Sequence, residues 1–282
     1  MKDGILIIDK PQDYTSHDVV AKCRKILQTK KIGHTGTLDP LATGVLVLCV
    51  GAATKLVDYL TCDDKIYDAT MKLGIKTDTG DITGNVIESR EWNAPETIED
   101  GFWRTFIGKQ TQIPPMYSAI KKDGVKLYEL ARQGIEVERA AREIEIWDIS
   151  HVSVSGDTIK YRVHCSKGTY VRVLCEDIAE KLETVGTMTE LRRIQSGKFS
   201  IEEACTLDEV SEDKIIPMEK LLNHSITIKE NIAKLLNGNT LKYDLEDGLY
   251  NLYDNGQYIG IGEVKDKLLK RKIIVENDIH LV

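Results

Sequence analysis

Between Gly33 and Gly44 the chain reads Gly-His-Thr-Gly-Thr-Leu-Asp-Pro-Leu-Ala-Thr-Gly, with Asp39 as its carboxylate. Glycines in such a loop let the backbone take positive φ or pass close to another surface. Pro40 stiffens the chain directly after Asp39 and biases that residue away from helix. A carboxylate on a constrained elbow can act as a nucleophile or relay protons. The spacing excludes other glycine-loop chemistries: a P-loop needs Gly-x4-Gly-Lys-Ser/Thr, and a dinucleotide fold needs Gly-x-Gly-x-x-Gly after a strand. An Asp-dependent hydrolase would want a second carboxylate or a metal cluster nearby, and this segment supplies neither. Taken alone, Asp-Pro is most often a turn and His34 a surface histidine, so the elements around the loop have to decide.

Upstream, Gly4–Ile8 reads as a short strand ending at Lys10-Pro11. Ser16 is the expected N-cap of a helix whose face carries Val19, Val20, Cys23, Ile26 and Leu27. Downstream, the pattern predicts a strand over Val45–Val50, a helix over Ala52–Leu60, a strand over Lys65–Leu73 and a turn-rich loop at Thr77–Asp81. Helical periodicity returns at Thr97–Phe106. The stretch Lys109–Arg142, with Pro114-Pro115 and a short helix near Leu127–Arg132, has the composition of a projecting element. Two strands, Glu143–Val154 and Asp157–His164, lead to a helix over Tyr170–Leu182. Strands and helices alternate without a regular βαβ repeat, which predicts an α+β fold with a mixed, mainly antiparallel sheet.

After Leu222 the pattern changes to a short helix, Lys229–Leu236, and short strands at Gly248–Tyr253 and Tyr258–Ile261 around an Asp254-Asn255-Gly256 turn. The expected organisation is therefore a large domain over 1–222, with an insertion at 109–142, and a small β-rich domain over 223–282. The N-terminus has no apolar stretch with a cleavage site, and the apolar run Val45–Val50 is far too short to span a bilayer. A cytoplasmic protein without membrane association is expected. The cysteines and histidines have no metal-ligand spacing, so no metal site is expected.

The formal charge of -7 disfavours nucleic acid at first sight, but its distribution matters more. Ala21–Lys55 holds six basic residues against Asp39, and Lys109–Arg142 holds seven against four acids. The acids concentrate in Ser200–Lys220. Basic patches near the loop and a remote acidic face are compatible with binding phosphates.

The loop closely resembles the signature motif of TruB-type pseudouridine synthases. Further matches follow in order: Asp9-Lys-Pro11, Lys65-Ile-Tyr67 with Leu73-Gly74, Gln112–Ala119, Tyr128–Gly134, Ser166–Arg172 and Leu191-Arg-Arg193. The resemblance implies a pseudouridine synthase catalytic domain, a thumb-like RNA-binding insertion at 109–142, and a PUA-like C-terminal domain marked by Gly238 and Ile259–Gly262. It implies isomerisation of uridine 55 in the TψC loop of tRNA, with Asp39 catalytic. Arg172 corresponds to the arginine that pairs with that carboxylate. Tyr67 corresponds to the tyrosine that stacks on the target uracil and can handle a proton. Tyr170 and Leu191 correspond to residues lining the uracil pocket, and His34 to the histidine that fills the space left by flipped nucleotides.

The chemistry suits these residue types. The reaction breaks the N1–C1′ bond, rotates the uracil and rejoins it through C5, with no redox change or group donor, so no cofactor is expected. The uridine must be flipped from its loop, and the T-arm stem-loop is the expected partner. The lack of a long basic tail or larger C-terminal region argues against a relative working within a guide-RNA particle; a monomer without obligatory protein partner or guide RNA is expected. A non-catalytic tRNA-binding or tRNA-folding protein is the alternative; the joint presence of Asp39, Tyr67 and Arg172 argues against it.

Overall fold

The computed structural model describes residues 2–61, 64–92 and 98–275. The first strands are β1 (Gly4–Lys10), β2 (Ile32–His34), β3 (Thr43–Val50) and β4 (Lys65–Leu73). A hairpin of β5 (Ile75–Thr77) and β6 (Val86–Ser89) precedes β7 (Gly108–Gln112) and the two-residue strands β8 (Lys121–Lys122) and β9 (Val125–Lys126). Then come β10 (Arg142–Ser155), β11 (Thr158–Cys165), β12 (Gly186–Ser196), β13 (Phe199–Ser200) and β14 (Ile216–Pro217). The main sheet runs β14-β1-β3-β12-β4-β11-β10-β7, with β13 beside β12 and β2 beside β3. Its pairings are antiparallel except one, so the architecture is the expected α+β with a mixed sheet.

That exception frames the loop. β12 runs parallel to β3 only at Arg192↔Thr43 and Arg193↔Gly44. Further along the same edge, β2 pairs with β3 from His34↔Leu48 to Ile32↔Val50. The segment between them leaves the sheet in the gap and carries Asp39. The glycine-rich loop is thus shorter than the sequence suggests, because Gly33 and His34 belong to β2.

β1 and β3 read as unbroken apolar runs because both faces are covered. On one face Leu6, Ile8, Leu46 and Leu48 join Tyr67, Met71 and Val163 beneath α1 (Ser16–Ile26) and the later helix Val171–Lys181. On the other, Ile5, Ile7, Val45 and Val47 pack against Leu249, Ile261 and Ile273 of the C-terminal segment.

That segment forms a sheet of its own in the order β15-β17-β18-β19-β16. Its strands are β15 (Ser225–Thr227), β16 (Leu241–Lys242), β17 (Gly248–Asp254), β18 (Gln257–Lys265) and β19 (Leu268–Ile274). Asn255 and Gly256, at φ 47° and 81°, make the tight two-residue turn that the sequence announces. A second such turn, Asp266-Lys267, has positive φ at both residues without glycine. β15, β16 and β19 were not legible, being short or flanked by charge.

The helices correct several expectations. Thr15, not Ser16, caps α1: its hydroxyl accepts from Asp18 N while Asp18 accepts from Thr15 N, a reciprocal capping box. Ile26 is 40% exposed, so the buried face of α1 is Val19, Val20 and Cys23. Ala52–Leu60 is not one helix but a 3-10 turn, Gly51–Leu56, followed by α2 (Val57–Leu60). α3 covers Asp100–Arg104, and Thr97 lies outside the described residues. α4 (Leu127–Ala131), α5 (Val171–Lys181) and α6 (Ile232–Leu236) match the expected helices, α6 starting later than its pattern.

Candidate active site

Asp39 is held from both sides by backbone bonds. The Leu38 N–H donates to Ser16 Oγ at 2.9 Å, and Ser16 Oγ donates to the Leu38 carbonyl at 3.1 Å. The Pro40 carbonyl accepts from Asp13 N at 2.9 Å and from Lys10 Nζ at 3.3 Å. The Asp39 carbonyl accepts from Ala42 N at 3.1 Å, closing a turn over Pro40. Lys10 is buried and also donates to the carbonyls of Pro11 and Tyr14. Burial pulls its ammonium down to about 8, with the nearby Asp39 carboxylate acting in the opposite direction.

The far end of the loop is fixed by Arg193, which is 2% exposed. Its Nε donates to Val45 O at 2.7 Å and its Nη2 to Gly36 O at 3.2 Å. Gly44, at φ 96°, passes so close to β12 that a Cβ there would sit 2.2 Å from Arg193 O. This glycine is required on both counts. These two carbonyl bonds offset part of the cost of burying the guanidinium.

Arg172 reaches Asp39 from α5. Its Nη2 stands 2.8 Å from Asp39 Oδ2, with Arg172 5% and Asp39 37% exposed at the side chain. The same guanidinium donates to Thr79 O at 2.9 Å and Tyr117 O at 2.8 Å. Those carbonyls aim it, leaving the carboxylate partly open to solvent. α5 is aimed in turn by Gln112 of β7, whose buried amide accepts from Tyr170 N at 3.0 Å and donates to Tyr170 O at 3.3 Å. Tyr170 is the N-cap of α5 and has no side-chain cap of its own.

Beneath Asp39 lies β4. Tyr67 sits opposite Arg193 in the β12 ladder, and Leu191 opposite Ala69. Period-2 alternation puts Tyr67, Leu191 and Arg193 on one face of the sheet, where Tyr67 and Leu191 join the core. Burial pushes the Tyr67 phenol above its usual range, with the Arg193 charge opposing. Burial likewise raises the Tyr170 phenol, so both are neutral near pH 7. His34 stands apart, edge-to-face with His17 at 5.4 Å between ring centroids. Burial, with the charges of His17 and Arg193 adding to it, lowers His34 to about 4.

The geometry thus brings Asp39 and Arg172 into contact, with Tyr67 and Tyr170 close enough to feel the Asp39 charge; Leu191 shares the sheet face of Tyr67, and His34 lies on the flanking strand. Residues 24–171 match the family described as TruB family pseudouridylate synthase (N terminal domain), and residues 172–234 the tRNA pseudouridylate synthase B C-terminal domain. The chain belongs to the TruB family. It is 44% identical to the tRNA pseudouridine synthase B of Clostridium perfringens, across 97% of this chain and 99% of that protein. The corresponding protein of Alkaliphilus oremlandii is 43% identical, over 96% of each chain. Among solved structures it is similar to a chain of a Cbf5-Nop10-Gar1 complex, with a TM-score of 0.66 and 26% identity. That match covers 97% of this chain and 84% of the other. An H/ACA RNP bound to a substrate RNA containing 2′-deoxyuridine gives a TM-score of 0.65 at 25% identity, covering 97% and 84% respectively.

The role of Lys10, Ser16, Arg193 and Gln112 was not read from the sequence. Lys10, Gln112 and Arg193 lie inside motifs that mark this TruB-family chain, yet spacing could not say that they hold backbone carbonyls. Ser16 was hidden by its eligibility as a helix cap. On the far side of Arg172, a cleft of about 760 Å³ opens between α5 and the 109–142 insertion, bordered by Ile113, Tyr117, Ile135, Glu176 and Asp177. Burial, reinforced by Glu176 and Glu180, pushes Asp177 up to about 6. Among the described residues no three His, Cys, Asp or Glu side chains converge to hold a metal ion, and no helix is long and apolar enough to cross a membrane.

Proposed function

We propose that this chain isomerises uridine to pseudouridine at position 55 in the TψC loop of tRNA, with Asp39 as the nucleophile. The observation that carries the reading is the 2.8 Å contact between buried Arg172 and half-open Asp39. A fixed cation beside a carboxylate aims it and favours its charged form. Asp39 attacks the flipped nucleoside, the N1–C1′ bond breaks, and the uracil turns within the pocket. C5 then bonds to C1′, the bond to Asp39 breaks and frees the carboxylate, the C5 proton leaves, and N1 takes up a proton.

In this reading Tyr67 stacks on the uracil and handles that proton, and Tyr170 and Leu191 line the pocket. His34, neutral at physiological pH, fills space vacated in the RNA without adding charge. The insertion at 109–142 clamps the T-arm with its basic side chains, and the module from residue 223 onward serves as a PUA-like RNA-binding domain. The chain acts in the cytoplasm, as a monomer, without cofactor, protein partner or guide RNA.

The test is tritium release from a tRNA transcript labelled at C5 of uridine, with chelator present. Release of one equivalent, lost when the target uridine becomes cytidine, is expected. Tight tRNA binding without release would instead favour the tRNA-folding alternative.

A further inference from the structure

We propose that Ser16 is a positioning residue for Asp39: its hydroxyl fixes the peptide groups of Leu38 and thereby sets where the next side chain points. The inference rests on the reading of Asp39 as the reacting carboxylate.

Ser16 is 1% exposed, far more buried than the start of an exposed helix requires. Its hydroxyl makes the two bonds that a neighbouring strand would make, taking the N–H and closing the C=O of a single residue, Leu38. Twenty-two positions separate the partners in sequence, so local helix geometry does not produce the contact. Nor does capping explain the serine, because Thr15 and Asp18 satisfy the first turn of α1 between themselves.

The hydrogen bonds complete a bracket. After Asp39, the Pro40 carbonyl is held by Asp13 N and Lys10 Nζ. Before it, the Leu38 side chain is buried at 4% exposure, which anchors a point but leaves rotation about the chain axis. The Ser16 bonds remove that rotation by fixing the peptide plane. With both flanking residues held, the carboxylate meets Arg172 without searching. Removing the hydroxyl leaves a buried donor and acceptor of Leu38 unpaired, and the loop must shift to satisfy them. A displacement of about 1 Å at a reacting group can lower a rate by about 100-fold.

The experiment compares the full-length chain with Ser16→Ala, Ser16→Thr and Asp39→Asn. Single-turnover rates are measured at saturating tRNA transcript, tRNA affinity by filter binding, and amide exchange of the 36–42 segment by mass spectrometry. For Ser16→Ala we expect a rate lower by about 10- to 100-fold, unchanged tRNA affinity, and faster exchange in 36–42 while β3 stays protected. Ser16→Thr, which keeps the hydroxyl, recovers most of the rate. A folded Ser16→Ala with the wild-type rate, or with unchanged exchange in 36–42, overturns the proposal. So does a rate loss that disappears when tRNA is saturating. If Ser16→Ala does not fold, Ser16→Cys carries the test, its thiol being a weaker donor and acceptor; a wild-type rate there overturns the proposal equally. Asp39→Asn separates the two readings: turnover in that variant sinks Asp39 as nucleophile, whereas its inactivity beside a fully active Ser16→Ala sinks only the role of Ser16.

Discussion

The loop around Asp39 and the insertion at 109–142 both border the site, but they are built in opposite ways. The loop is tied down by buried side chains, Lys10, Ser16 and Arg193, that reach its carbonyls and amides from three other elements. The insertion has two-residue strands, a five-residue helix and little buried beyond Gln112, Ser118 and Leu127. Two of its three isoleucines, Ile113 at 55% and Ile135 at 45%, are exposed. A reacting carboxylate gains from being fixed before substrate arrives, because misplacement is felt directly in the rate. A clamp on RNA has to adapt to a shape and gains from long, exposed, cationic side chains. Rigidity and accessibility are divided between neighbouring segments, and Arg172 touches both through Asp39 and the Tyr117 carbonyl.

That contrast can be broken experimentally. The largest effect is expected for Asp39→Asn, which should lower turnover by more than about 10³-fold with tRNA binding retained, as read by tritium release and filter binding. Substantial residual turnover would remove the loop from the chemistry. Arg172→Ala should follow, losing about 10²- to 10³-fold in rate, since it both unpairs Asp39 and frees two carbonyls. A wild-type rate in single turnover would show that the ion pair is only structural.

A third measurement addresses how dry the flank of the loop is. Burial holds His34 at about 4 in the folded chain against 6.5 unfolded. Between these values the unfolded chain binds a proton that the folded chain refuses, so stability is full above 6.5 and falls as pH drops toward 4. The loss from this residue is at most about 3 kcal/mol. Urea midpoints of His34→Gln should therefore decline less than wild type from pH 6.5 to 4; parallel curves would mean that His34 is hydrated. The smallest effect belongs to the insertion. Lys121→Glu with Lys122→Glu should weaken tRNA affinity several-fold and flatten its salt dependence, leaving the saturated rate unchanged. A loss confined to that rate would place the insertion in the chemistry and erase the contrast.

Much of the fold was legible because burial leaves a pattern. β1 and β3 are continuous apolar runs, α5 carries Val171, Leu174, Cys175 and Ile178 at helical spacing, and Asn255-Gly256 announces its turn. The elements that failed to show are short or flanked by charge, and some of them also have distant partners. β15 is three residues long and exists because it pairs in parallel with Asn251–Tyr253. The helix expected over Ala52–Leu60 splits where its 3-10 turn packs behind β3, with Asp3 Oδ1 accepting from Ala52 N.

Read as a string, the chain shows one carboxylate on a glycine- and proline-constrained loop, and an arginine and a tyrosine in motifs of the same family. Those facts are local in residue type and spacing, so they survive reading as a string. How Asp39 is held follows from the fold. Ser16, Lys10 and Arg193 act through backbone carbonyls and amides 22 to 157 positions away. A backbone amide looks the same at every position, and a string therefore cannot show which one a buried side chain will meet.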